Sequence, residues 1–258
     1  MEIKEVKMIL EIKNITKTFG GVRALDNISL SITKETITAI IGPNGSGKTT
    51  LFNVINGFLK PDKGKITFKG KDITYLSPSK IARYGIGRTF QLIRVFPQMI
   101  VRDNLLLALE NPLREGLLYG LNPFIRYDPG PLKEKAMNLL TMVDLQDMAE
   151  ELPCNLSHGQ RRLLEVMLAI SLDPDLYLFD EPTAGVFQEI KDRIFELFRQ
   201  LKGKGKTIIF IEHNMEVVKE IAEKVIVLDK GRVIAEGEPA TVLEMSQVME
   251  AYFGGEFT

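Results

Sequence analysis

Apolar and polar positions follow two different periods along this chain, and the change between them marks its organisation. Met8 to Ile12, Ile28 to Ile32 and Ile66 to Phe68 alternate apolar with polar, as half-buried strands do, and Gly70-Lys71-Asp72 supplies turn chemistry. The first 75 residues are therefore expected to be mainly strands. From Thr36 the pattern changes: Ile37, Ala39, Ile40 and Ile41 form a short apolar strand ending in Gly42, and Lys48 to Phe58 predicts a helix closed near Pro61. Leu176 to Phe179, Ile208 to Ile211 and Val225 to Leu228 read as further buried strands, separated by helical stretches near 188 to 201 and 214 to 223. Strands alternating with helices predict an α/β fold whose sheet is mostly parallel and covered on both faces.

A different region lies between Gln91 and Asn155. Helical patterns run over Val101 to Leu109 and Leu132 to Met148, and between them Pro112, Gly116, Gly120, Pro123, Pro129, Gly130 and Pro131 predict irregular chain. It reads as a helical insertion into the sheet domain. Beyond the last strand, Gly237-Glu238-Pro239 leads into an amphipathic helix, Thr241 to Tyr252. The basic run Lys202 to Lys206 is short and reads as a solvated turn between helix and strand.

Composition narrows the function classes. The 258 residues allow one large domain or two small ones, and 45% apolar content suffices for a core without disulfides. Lys+Arg 33 against Asp+Glu 34 leaves a net charge of -1, which argues against a nucleic-acid partner gripped by bulk charge. The single Cys154 can form no internal bridge, so a reducing, intracellular setting is expected. No apolar run approaches the ~18 residues that cross a bilayer. Glu2, Lys4, Glu5 and Lys7 leave no room for a signal-peptide core. The expectation is a soluble chain, or one attached to a membrane only through partners.

The strongest chemical signal is Gly42-Pro43-Asn44-Gly45-Ser46-Gly47-Lys48-Thr49, with Thr50 behind it, a full GxxxxGK[ST] match set after a strand and before a helix. Its glycines let backbone N–H groups turn inward onto phosphate oxygens, and the new helix offers its positive end to the same anion. Lys48 would reach the β- and γ-phosphates, and Thr49 would place its hydroxyl on Mg²⁺. The strand Leu176-Tyr177-Leu178-Phe179 delivers Asp180 and Glu181 at its tip. Asp180 could then hold Mg²⁺ beside Thr49, and Glu181 could polarise an attacking water as a general base.

Leu156-Ser157-His158-Gly159-Gln160 resembles the LSGGQ signature of ABC-type ATPases, and Gln160 lies 20 residues before Asp180 as that family's order requires. The resemblance spans about residues 8 to 252. It implies an ABC ATPase fold: a P-loop NTPase core with a mostly parallel sheet, an antiparallel β subdomain and an inserted helical subdomain. Core and β subdomain would take residues 1–91 and 156–258, and the insertion 92–155. It implies ATP and Mg²⁺ as cofactors, with ATP sandwiched between two subunits and Ser157, His158, Gly159 and Gln160 serving the nucleotide of a second, identical or related, copy. By the same resemblance Phe19 stacks on adenine, Gln91 approaches Mg²⁺ and water, and His213 is the switch histidine at the γ-phosphate.

Two positions depart from the family pattern. His158 replaces the first signature glycine, and His tolerates a positive φ if that site needs one. Phe187 stands where a polar residue commonly follows Ala184-Gly185-Val186. Gly85-Ile86-Gly87-Arg88-Thr89-Phe90-Gln91, then Ile93-Arg94-Val95-Phe96, the long insertion and Glu181-Pro182-Thr183-Ala184-Gly185 are most similar to branched-chain amino-acid importer ATPases. The implied partners are transmembrane permease subunits, docked near Gln91, Ile93, Arg94, Val95 and Phe96, and indirectly a solute-binding protein. The implied place is the cytoplasmic face of the membrane. A urea, amide or lipid transport system, or a non-transport ABC ATPase, stays open beside that reading.

Overall fold

The structure, a computed structural model, describes residues 7–88, 95–110 and 130–253. The chain folds into two compact units. One comprises Met1–Arg88, Asp175–Pro182 and Leu197–Thr258, the other Thr89–Pro174 and Thr183–Glu196.

Two sheets build the first unit. Strands β1 (Met8–Phe19), β2 (Val22–Thr33), β4 (Lys63–Phe68) and β5 (Lys71–Asp72) form an antiparallel sheet in the order β2-β1-β4-β5. Six strands form the other, in the order β10-β9-β3-β8-β7-β6: β3 (Ile37–Ile41), β6 (Ile86–Arg88), β7 (Leu176–Asp180), β8 (Thr207–Ile211), β9 (Lys224–Asp229) and β10 (Arg232–Gly237). All its neighbours are parallel except β10, which returns antiparallel to β9. The residues of β3, β7 and β8 are buried throughout, which explains why their sequences are continuous apolar runs without alternation. Helix α1 (Lys48–Ile55) buries Leu51, Phe52, Val54 and Ile55 in the core, alongside Ile40, Leu178, Ile209 and Ile226.

The second unit is helical. Its elements are α3 (Val101–Leu109), α4 (Gly130–Thr141), α5 (His158–Ser171) and the first turns of α6 (Gln188–Gly203). Asn104, 2% exposed, organises the chain before α3: its Nδ2 donates to the carbonyls of Phe96, Met99 and Ile100, and its Oδ1 accepts from the Phe96 amide. The family resemblance assigns residues 156–258 to the nucleotide-binding core, but α5 packs on α3 and α4, and residues 156–174 and 183–196 fall in the helical unit.

Other boundaries shift for local reasons. Helix α1 ends at Ile55, where Asn56 and the left-handed Gly57 turn the chain. The helix expected from Leu132 to Met148 stops at Thr141, because Asp144 is left-handed (φ 56) and the Leu145 amide closes back onto Leu140. The C-terminal helix expected from Thr241 divides into α8 (Pro239–Val242) and α9 (Ser246–Phe253). Helix α2 (Pro78–Tyr84) and strands β6 and β10 have no counterpart in the periodicity, and α7 (Met215–Ile221) lies within the stretch assigned to it. Most of the segment expected to be irregular, 111–129, lies outside the described residues.

Candidate active site

Open parallel sheets place their ligands beyond the carboxyl ends of the strands. At that edge of the first unit the loop after β3, the tip of β7 and the residues after β8 surround a cavity of about 210 Å³. Asn44, Gly45 and Gly47 line it from the loop, Lys48, Thr49 and Thr50 from the first turn of α1, and Glu181 and His213 from the chain just beyond β7 and β8. A larger hollow of about 440 Å³ lies by the opposite, amino ends of β3 and β9, between Glu35, Arg199 and Glu223. It has no phosphate-binding loop.

Backbone and side chains share the work of shaping the loop. Gly42 (φ 150) passes so close to β9 that a Cβ there would stand 2.0 Å from the Leu228 carbonyl oxygen, so no other residue fits. Gly47 caps α1 without a side-chain bond, which leaves the first amides of the helix directed at the cavity. The Lys48 amino group donates to the carbonyls of Gly42 (2.8 Å) and Pro43 (2.9 Å) and lies 3.5 Å from Ser46 Oγ. Burial pulls its pKa below the ordinary lysine range, and the carboxylates of Glu181 and Asp180 act in the other direction.

The two carboxylates at the strand tip have different surroundings. Asp180, whose side chain is 1% exposed, is ion-paired with Arg88 Nη2 at 3.0 Å. Glu181 adopts φ 48, unusual for a side chain of its size, and this turns it out of the strand into the cavity. There its Oε1 lies 2.9 Å from His213 Nε2, within hydrogen-bond reach. His213 is held in turn by its own amide, which donates to buried Glu212 Oε2 at 3.1 Å. The next residue, Asn214, caps α7 by accepting from the amides of Glu216 and Val217.

Ser157 to Gln160 open α5 in the second unit. The Gln160 amide donates to Ser157 Oγ (3.2 Å) and the Ser157 amide to Gln160 Oε1 (2.9 Å), a complete capping box. Ser157 Oγ accepts this bond and keeps its own O–H proton to donate elsewhere. Gly159 is required by packing, since a Cβ would stand 2.8 Å from Ile190 Cγ1. His158 is the first residue of the helix and has no positive φ, so its place there needs no tolerance of a left-handed backbone.

Of the other expected residues, Phe19 ends β1 and is 44% exposed, so it is not a core residue, and Lys17 Nζ stands 5.5 Å from its ring centre. Gln91, with Ile93 and Arg94, lies outside the described residues. Two neighbours of the site were given no role by the sequence. Arg88 reaches Asp180 across 92 positions of chain. Tyr252 of α9 buries its hydroxyl beside the Gly42 amide without closing a well-formed hydrogen bond, and burial pushes its pKa up to about 12.

Comparison with known proteins agrees with this geometry. The ABC transporter family profile matches residues 25–184, and that of the branched-chain amino acid ATP-binding cassette transporters matches residues 232–258. The chain is 38% identical to the probable branched-chain amino acid transport ATP-binding protein LivG of Archaeoglobus fulgidus, over 96% of each chain. It is 39% identical to the protein of that name from Methanocaldococcus jannaschii, over 98% of this chain and 100% of the other. Among solved structures it is similar to the ADP conformation of an ATP-binding cassette of an ABC transporter, with TM-score 0.84 and 39% identity over 96% of this chain and 99% of that one. With the phosphate loop, the strand-tip carboxylates and the capped Ser157 helix all in place, and relatives this similar over nearly their whole length, the chain belongs to the ABC transporter family and has the ABC ATPase fold.

Proposed function

We propose that this chain is the ATP-hydrolysing subunit of a membrane importer, that two copies enclose ATP between them, and that the transported solutes are branched-chain amino acids. The observation that carries hydrolysis is the Glu181–His213 contact, 2.9 Å long, in one cavity with Lys48 and Thr49. A phosphate chain seated on the loop would meet the amides of α1 and the Lys48 ammonium, which already points into the loop. Glu181, aimed by His213, would take the proton of a water attacking the γ-phosphorus, and His213 would steady the charge left on that group.

Thr49 and Asp180 are hard oxygen donors suited to Mg²⁺, and among the described residues no cluster of three His, Cys, Asp or Glu is placed to hold an ion alone. That fits an ion carried in on nucleotide phosphates. When bound, Mg²⁺ would neutralise charge on the nucleotide phosphates. Phe19, an exposed aromatic at a strand end, would stack on the adenine.

The pairing of copies rests on Ser157, whose hydroxyl proton and helix start form a second anion site that a partner's γ-phosphate would fill. A dimeric post-hydrolysis state bound to ADP and Pi is known for an ATP-binding cassette 26% identical to this chain, TM-score 0.76, over 90% of this chain and 99% of that one. Phe187, 86% exposed, would then meet the partner copy. None of the described helices is long and apolar enough to cross a membrane, so closure would be passed to separate transmembrane subunits at the cytoplasmic face, through 91–96 and the exposed Phe96. The solute class follows the names of the relatives. Glu181→Gln should keep ATP binding, lose about 10²- to 10⁴-fold in hydrolysis and accumulate an ATP-dependent dimer by light scattering. A Glu181→Gln protein that hydrolyses at the wild-type rate would contradict the assignment.

A further inference from the structure

Two residues proposed to hold Mg²⁺ sit on different elements, Thr49 on α1 and Asp180 at the tip of β7. Arg88 spans the two. It ends β6, which pairs in parallel with β7 and sets Arg88 opposite Leu178. Its Nη2 donates to Asp180 Oδ2 at 3.0 Å, and its Nη1 donates to Asn53 Oδ1 at 2.5 Å. Asn53 lies four positions after Thr49 on α1, one turn further along the same face. The guanidinium also stands 5.5 Å from the ring centre of Phe52, which is fully buried.

With side chains 6% and 1% exposed, the Arg88–Asp180 pair is sealed from water. A lysine could neutralise Asp180, but only a planar fork can grip a carboxylate on one strand and an amide oxygen on a helix at once. Resting on the proposed nucleotide site, we infer that Arg88 is a positioning residue for magnesium: a strut that fixes the Asp180 carboxylate relative to the Thr49 face of α1. The strut would present the Thr49 hydroxyl and the Asp180 carboxylate already in register for a metal ion, while the cradle for the phosphates would be formed by the loop itself.

The test is the coupling between magnesium and nucleotide, read as the affinity for a fluorescent ATP analogue in EDTA and over a Mg²⁺ titration. Arg88→Met should leave the affinity in EDTA within about twofold of wild type and cut the gain produced by Mg²⁺ about tenfold. Asn53→Ala removes one anchor and no charge, and should cut that gain about threefold with the same unchanged value in EDTA. Asn53→Ala decides the question alone if loss of the buried cation prevents Arg88→Met from folding. A gain that survives both substitutions, or affinities that fall in parallel with and without Mg²⁺, overturns the strut while leaving the nucleotide site standing. A wild-type protein whose affinity does not respond to Mg²⁺ overturns both.

Discussion

Two of the described helix starts, those of α1 and α5, are suited to an anion and are built in opposite ways. At α1 the cap is Gly47, with no side-chain bond to the helix amides, and a lysine folds over the loop. At α5 the cap is Ser157, and the capping box with Gln160 satisfies two of the orphan groups internally. The first start leaves its amides and a full charge to bind with, the second one hydroxyl proton and the amides that the box does not use. On the proposed function the stronger cradle would set nucleotide affinity and the weaker one would respond only once the nucleotide is bound, a division that would let a pair of copies open again after the γ-phosphate is lost.

This contrast is most severely tested at Lys48. Lys48→Ala should lower ATP affinity by about 10- to 100-fold, since it removes charge-assisted bonds to phosphate, whereas Ser157→Ala should leave the affinity of the single copy within about twofold. Equilibrium binding to a fluorescent analogue measures both, and equal losses would erase the distinction. Next in size is Gly159→Ala. The new Cβ would press on Ile190 and cost about 1–3 kcal/mol, seen as a lower Tm, with nucleotide affinity kept. His158→Gly should be milder, below about 1 kcal/mol, because the residue is the first of its helix and carries no strained φ. ATPase activity should persist in that variant, and its complete loss would give the imidazole a chemical part.

The smallest effect is expected away from both helix starts. Asp26 accepts from Arg232 (2.8 and 2.6 Å) and Arg23 (2.8 Å), which hold its carboxyl below the ordinary 3.8. A folded pKa below the unfolded one gives stability that is present above about pH 4 and lost as pH falls through the folded value. Asp26→Asn should therefore lower Tm slightly at pH 7, and by less as pH falls through the folded value. A penalty that persists in acid would mean a packing role instead.

Much of the nucleotide edge was legible in sequence because each part is local. Gly42 to Thr49 is a contiguous motif, and Asp180 and His213 end apolar runs that are buried along their whole length. What escaped is what depends on distance along the chain. Strand β6 is three residues long and β10 alternates poorly, so neither period registers. The Arg88–Asp180 pair joins positions 92 apart, and Tyr252 meets Gly42 only through the fold. Helix α4 looked longer than it is because apolar spacing continues past the left-handed Asp144. The capping box at Ser157 is likewise formed by the fold, and it leaves the hydroxyl proton to donate elsewhere.

Mixing two inactive variants tests whether Lys48 and Ser157 of different copies share one ATP. In a pair made of one Lys48→Ala copy and one Ser157→Glu copy, both lesions fall in the same site and the other site is whole. Equal mixtures should recover about a quarter of the wild-type ATPase rate, since half the pairs are mixed and each carries one whole site. A mixture no more active than the sum of its two components would mean that each copy works on its own nucleotide, and the shared site would be wrong.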